Sequence, residues 1–151
     1  WRLTIVGDGP ERANVERRAR ELGLKHVSFD GFQQPRPYYE RASVLVLASE
    51  YEGFPLVLAE CMSFGVVPVV YGSYSAVYDI VKNGENGMIV QPRGGRFDVS
   101  EMAQALATVM ADDNKRDGMA QRAIETSKRD YSVENIYSSW KEIMYNLIKQ
   151  K

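Results

Sequence analysis

The sequence predicts an α/β fold, a doubly wound (Rossmann-like) parallel sheet of about five strands flanked by helices and followed by a helical C-terminal segment. Three observations carry this reading. Short β-prone apolar runs alternate with helical patterns, and the segments that join them are short and rich in Gly, Pro, Asn and Asp. The strongest apolar runs, Val44 to Ala48 and Val66 to Val70, are continuous rather than alternating, as in strands covered on both faces. The chain has 151 residues, 44% of them hydrophobic and 26% charged, which suits one globular domain spanning residues 1–151 and excludes disorder, collagen and coiled coil.

Taken in order, Leu3 to Val6 reads as a strand and Gly7-Asp8-Gly9-Pro10 as the turn that ends it. Val15, Ala19 and Leu22 then mark a helix stopped by Gly23. On that helix Arg12, Arg17, Arg18 and Arg20 are interleaved with Glu11, Glu16 and Glu21 at ion-pairing spacings, so the basic cluster reads as a solvated face. Val27 to Phe29 is the second strand, closed by Asp30-Gly31, and a short helical piece is expected around Tyr38 to Ala42. Val44 to Ala48 is expected to be a buried central strand. Pro55 is placed as the first residue of a helix that continues from Leu56 to Phe64 and stops at Gly65. In the strand Val66 to Val70, Pro68 is tolerable only at a strand start or an unpaired position. Ala76 to Lys82 reads as a short helix, followed by turns at Asn83-Gly84 and Asn86-Gly87 and a brief strand at Met88 to Val90. Asp98 is placed as the cap of a helix with Val99, Met102, Ala103, Leu106, Val109 and Met110 on one face. Met119, Ala120, Ala123 and Ile124 mark a second helix. Ser132 opens a third, whose stripe of Val133, Ile136, Trp140, Ile143, Met144 and Leu147 is expected to lie in the core.

Composition narrows the function. Nineteen basic residues against twenty acidic ones leave no excess charge to hold nucleic acid. One cysteine, Cys61, cannot form an internal bridge, so a reducing compartment is expected, and it reads as a small core residue. No apolar run approaches the roughly 18 residues of a membrane span. One His and one Cys cannot close a zinc site, and no metal is expected.

In open parallel sheets ligands bind beyond the carboxyl ends of the strands. The loops to inspect are therefore Gly7 to Pro10, Asp30 to Gln34, Ser49 to Pro55 and Tyr71 to Ser75. The third is the most informative, because Glu52 and Glu60 lie eight positions apart around a helix start. There Gly53 and Phe54 would offer unpaired N–H groups at a positive helix end, suited to phosphate or sugar oxygens. Glu60, set among Leu58, Ala59, Cys61 and Met62, would be costly to bury without a partner, which a ligand hydroxyl or a nearby Lys or Arg could supply. Tyr38, Tyr39, Tyr51, Tyr71 and Tyr74 lie near the expected cleft edge, able either to stack on a ligand or to pack locally.

The ordered series Gly7-x-Gly-Pro10, Val27-x-Phe29-x-Gly31, Ser49-Glu-Tyr-Glu52-Gly-Phe-Pro55 with Glu60, Gly65-Val-Val-Pro68-Val-Val and Asn83-Gly-Glu-Asn-Gly87 resembles the C-terminal domain of retaining glycosyltransferases of family 4. The resemblance covers nearly the whole chain. It implies a GT-B type enzyme of two Rossmann-like domains, of which this one binds the nucleotide-sugar donor and carries a hexose-type sugar to a glycan or lipid-linked acceptor. It implies that Glu60 hydrogen-bonds the ribose and that Glu52, the residue assigned to the catalytic position, contacts the transferred sugar. Gly53, Phe54, Pro55 and Leu56 match the segment whose amides meet the sugar and diphosphate. Phe29, Asp30 and Gly31 match the loop that packs on the base, and Gly7 and Gly9 the glycine turn that lines the cleft. No cofactor beyond the donor is implied.

The sequence departs from the family where a glycine-rich turn reads Ser75-Ala76-Val77-Tyr78. The family's first strand of this domain, its basic residues and the N-terminal acceptor domain would precede Trp1. A fragment of a longer, cytoplasmic enzyme is therefore expected, inactive alone and meeting a membrane only through the rest of its chain. The competing readings are a non-catalytic flavodoxin-like binding module and half of a nucleotide-sugar epimerase.

Overall fold

The computed structural model describes residues 1–149. It divides into two compact units, one covering Trp1–Arg41 and the other beginning at Ala42.

In the N-terminal unit, strand β1 (Leu3–Val6) pairs in parallel with β2 (Val27–Gly31). Leu3 lies opposite Val27 and Ile5 opposite Phe29, and a register shift then brings Val6 opposite Gly31. Between them runs helix α1 (Arg12–Glu21), on which the expected ion pairs form, led by Arg12 Nε to Glu16 Oε1 at 2.8 Å. Gly23, at φ +64°, ends it, and the amides of Gly23 and Leu24 donate to the carbonyls of Arg20 and Ala19. Contrary to the expected apolar face, Val15 and Leu22 stay half exposed. Helix α2 (Arg36–Tyr39) starts earlier than the sequence suggests, because Pro35 and Pro37 occupy the one end of a helix where a missing N–H costs nothing.

The second unit holds β3 (Val44–Leu47), α3 (Leu56–Ser63), β4 (Val67–Tyr71), α4 (Ser75–Ile80) and β5 (Met88–Val90), then α5 (Val99–Ala111), α6 (Asp113–Tyr131) and α7 (Val133–Lys149). Its strands form a parallel sheet in the order β3-β4-β5. The five expected strands thus exist, hydrogen-bonded as one pair and one trio. The central strand is β4, buried at all five residues, whereas β3, expected in that place, takes the edge of its trio with Val46 40% exposed. An apolar run of four or five residues does not encode which strand has neighbours on both sides, and here β4 has them.

Pro68 sits in this buried strand without losing a bond. The amide of Val67 points to β3 and donates to Ser43 O, so position 68 faces the opposite side, where pairing with β5 begins only at Val69 and Met88. Gly87 fits against the same proline, since a Cβ there would lie 2.7 Å from Pro68 O.

Around β4, the side chains of Val67, Val69 and Tyr71 pack with Val90, Met102, Val109 and Met119, tying the sheet to α5 and α6. The expected cap forms, with Asp98 accepting from the amides of Ser100 and Glu101. The inward face of α5 is Met102, Ala105, Leu106 and Val109, while Val99 and Ala103 turn to solvent. Buried Asn86 accepts from Lys82 N and donates to Ile80 O and Thr126 Oγ1, clamping the turn before β5 onto α6. The stripe on α7 does not join this core: Val133, Ile136, Trp140, Ile143, Met144 and Leu147 are 45–79% exposed. Periodicity identifies an apolar face but not what covers it, and no described residue does.

Because a methyl group at position 87 would meet the Pro68 carbonyl as well as the Pro68 ring and the buried Val81 side chain, Gly87→Ala is expected to lower the unfolding free energy by about 1–3 kcal/mol, read from the denaturant midpoint.

Candidate functional site

Parallel, in-register pairing from Val44 opposite Val67 to Leu47 opposite Val70 brings β3 and β4 to an end at the same level. The loops that follow therefore leave side by side. Ser73 ties them together, its hydroxyl donating to Ser49 O at 3.2 Å and Glu50 O at 2.7 Å.

Within this pair of loops Glu52 is half-buried and has no hydrogen bond or ion pair with any described residue. Beside it the Tyr74 hydroxyl is buried and also lacks a hydrogen-bond partner. Burial pushes the phenol pKa up, and the Glu52 charge adds to the effect, so the hydroxyl keeps its proton. A buried polar group left without a partner costs about 1–3 kcal/mol, so such groups usually await a ligand or mark strain.

The rest of the segment flanks the start of α3. Gly53 and Phe54 are exposed, and neither amide has an acceptor among the described residues. The ring of Phe54 packs on Tyr131 of α6, centroids 5.9 Å apart, which anchors the loop while its amide stays free. Pro55 is buried and sits at the cap of α3 rather than inside its first turn. Leu56 is exposed, and its amide already donates to Phe54 O at 2.9 Å. The amides of Gly53 and Phe54 thus lie without acceptors just before the electropositive end of α3.

Glu60 departs from the sequence argument. It is exposed rather than embedded, because Leu58, Cys61 and Met62 form the inward face of α3 and position 60 falls on the other side. Chain neighbours two apart are not neighbours on a helix surface.

In the N-terminal unit, Gly7, Gly9 and Phe29 come together, lining a cavity of about 300 Å³ with Asp8, Arg12 and Val15. Gly7, at φ +132°, donates to Gly31 O at 2.7 Å and so fixes the turn on β2. Asp30 and Gly31 do not line the cavity. The Asp30 carboxylate accepts from Tyr38 Oη at 2.8 Å, which raises the tyrosine's pKa. Gly31, at φ +68°, lies under the Arg12 guanidinium, which a Cβ would approach to 2.9 Å. Arg12 is a wall residue that the sequence presents only as a surface ion pair. It does pair with Glu16, yet it also donates to Phe29 O at 3.3 Å. A further cavity of about 370 Å³ lies against β5 and α5, lined by residues such as Gln91, Gln104 and Thr108, and holds none of the predicted residues.

Among the described residues no cluster of three or more His, Cys, Asp or Glu side chains is placed to hold a metal ion, and no helix is long and apolar enough to cross a membrane.

The sequence profile of the family described as glycosyl transferases group 1 matches residues 1–126. The chain belongs to this family. Similar proteins include an exopolysaccharide phosphotransferase of Streptomyces coelicolor, 32% identical over 100% of the chain but 16% of that protein. A GalNAc-α-(1→4)-GalNAc-α-(1→3)-diNAcBac-PP-undecaprenol α-1,4-N-acetyl-D-galactosaminyltransferase of Campylobacter jejuni is 29% identical over 95% of the chain and 39% of its own length. The chain therefore spans well under half of these relatives. Among solved structures, Anabaena HepE in complex with UDP superposes with a TM-score of 0.85 at 23% identity, covering 96% of the chain and 41% of HepE. Sucrose-phosphate synthase from Thermosynechococcus elongatus gives 0.84 at 24%, covering 99% and 39%. The Rossmann-like fold is shared with both.

Cys61 is fully buried in α3 and donates to Leu58 O at 3.3 Å, and burial pushes its thiol far above the usual range. It is expected to resist alkylation by iodoacetamide at pH 8 in the folded protein and to react once the chain is denatured, as mass spectrometry would show.

Proposed function

We propose that this group 1 domain is the nucleotide-sugar donor-binding half of a retaining glycosyltransferase that transfers a hexose-type sugar to a glycan or lipid-linked acceptor. The observation that carries the reading is the unpaired, half-buried Glu52 beside two acceptor-free amides at the start of α3. A carboxylate and N–H donors in one loop suit a ligand with sugar hydroxyls at one end and an anionic diphosphate at the other. Support also comes from the HepE structure solved with UDP-glucose and from the Campylobacter relative, whose name specifies an undecaprenol-linked glycan.

In this reading Glu52 accepts hydrogen bonds from hydroxyls of the transferred sugar. Gly53 and Phe54 donate to the sugar and diphosphate, and exposed Glu60 accepts from the ribose. Gly7, Gly9 and Phe29, with Asp30 and Gly31, form the part of the N-terminal unit that receives donor and base. The leaving diphosphate takes the acceptor proton on the same face of the sugar, so the anomeric configuration is retained and no side-chain nucleophile is needed. The acceptor site belongs to a further domain, through which any membrane contact is made.

The test is calorimetric titration of the chain with UDP, GDP and ADP, repeated on Glu60→Ala. One diphosphate is expected to bind, with a loss of about 1–3 kcal/mol in the variant, the usual cost of removing a charged hydrogen-bond partner. Unchanged affinity in Glu60→Ala contradicts the ribose role.

A further inference from the structure

Two polar groups in the second unit are complementary and both unused. The Tyr74 hydroxyl is a buried donor with no acceptor, and Glu52 is a half-buried acceptor with no donor. They lie on the two loops that Ser73 joins, Tyr74 directly after the serine and Glu52 two residues beyond Glu50, whose carbonyl the serine holds. That strap limits how far apart they can move. We propose that Tyr74 is a positioning residue for Glu52: once a hexose occupies the loop, the Tyr74 hydroxyl donates to the Glu52 carboxylate and sets the direction in which that carboxylate meets the sugar hydroxyls.

Three features support this. Buried hydroxyls without partners are rare in folded proteins, so this one needs a state in which it is satisfied. The phenol stays protonated near neutrality, since burial and the nearby carboxylate both oppose its ionisation, and a protonated phenol is a strong donor to a carboxylate. Finally, a carboxylate on an exposed glycine-containing loop has many orientations, and one donor held in place removes most of them as the sugar binds. Tyr51, on the same loop, is 83% exposed and cannot supply that donor from a buried position. The proposal rests on the reading of Glu52 as a ligand of the donor sugar.

The test compares Tyr74→Phe, Glu52→Gln and the double variant with the unmodified chain. Each is titrated with UDP, GDP and ADP and with the glucose ester of each. The expected result is that Tyr74→Phe leaves binding of the free diphosphate within about twofold, weakens the sugar ester about three- to tenfold, and adds nothing further in the Glu52→Gln background. Its unfolding midpoint without ligand stays level or rises, because an unpaired hydroxyl has been removed. A merely structural tyrosine would instead weaken diphosphate and sugar ester alike. That result, additive losses in the double variant, or a lowered midpoint overturns the proposal. Normal diphosphate binding with an unaltered sugar increment in Tyr74→Phe overturns this proposal alone. Failure of the unmodified chain to bind any of the three diphosphates overturns the donor reading and this inference with it.

Discussion

The in-register parallel pairing of β3 with β4 is the constraint from which the candidate site follows. Parallel strands paired in register send the loops that follow them out at the same end of the sheet. Burial of all five residues of β4 against α5 and α6 makes that end rigid. The β3–α3 and β4–α4 loops then need only one strap, the Ser73 hydroxyl on two backbone carbonyls, to hold Glu52 and Tyr74 in the same small volume. Pro68 and Gly87 serve the same end, because they let β5 close on β4 without a lost hydrogen bond or a steric clash.

Against that satisfied core, the polar groups left over are concentrated. Asn86, buried, makes three hydrogen bonds, and Ser127 donates to Ala59 O. The unmet capacity lies in Glu52, the Tyr74 hydroxyl and the amides of Gly53 and Phe54. Of these the Tyr74 hydroxyl is buried, Glu52 is half-buried, and the two amides belong to exposed residues of the same loop.

Much of this was legible in the residues themselves. Gly23 and Gly65 stop helices where their positive φ requires glycine, Asp98 caps α5 through two amides, and the arginines of α1 find the glutamates set at helical spacing. The Glu52-Gly53-Phe54-Pro55 segment was recognisable as a helix entry with free amides, and the structure leaves two of them open. What escaped the sequence was long-range. Val44 to Leu47 and Val67 to Tyr71 look equally apolar, and only the sheet order shows which has two neighbours. The outward position of Glu60 was, by contrast, local: on a helix it falls opposite Leu58, Cys61 and Met62, which turn inward. The α7 stripe is as regular as any core helix and is nonetheless uncovered, since a period of three and four residues carries no information about a partner. Arg12 reads as one of several paired arginines, and its place on a cavity wall depends on strand β2, seventeen residues away at Phe29.

The most direct test of the central claim, that the free amides at the start of α3 receive the donor, is amide-detected NMR of the isotopically labelled chain during titration with UDP, GDP and ADP and their glucose esters. The expected result is that the Gly53 and Phe54 resonances shift with the ligand that binds, while buried core amides such as Val69 and Met119 do not. Saturable binding that leaves Gly53 and Phe54 unmoved would contradict it.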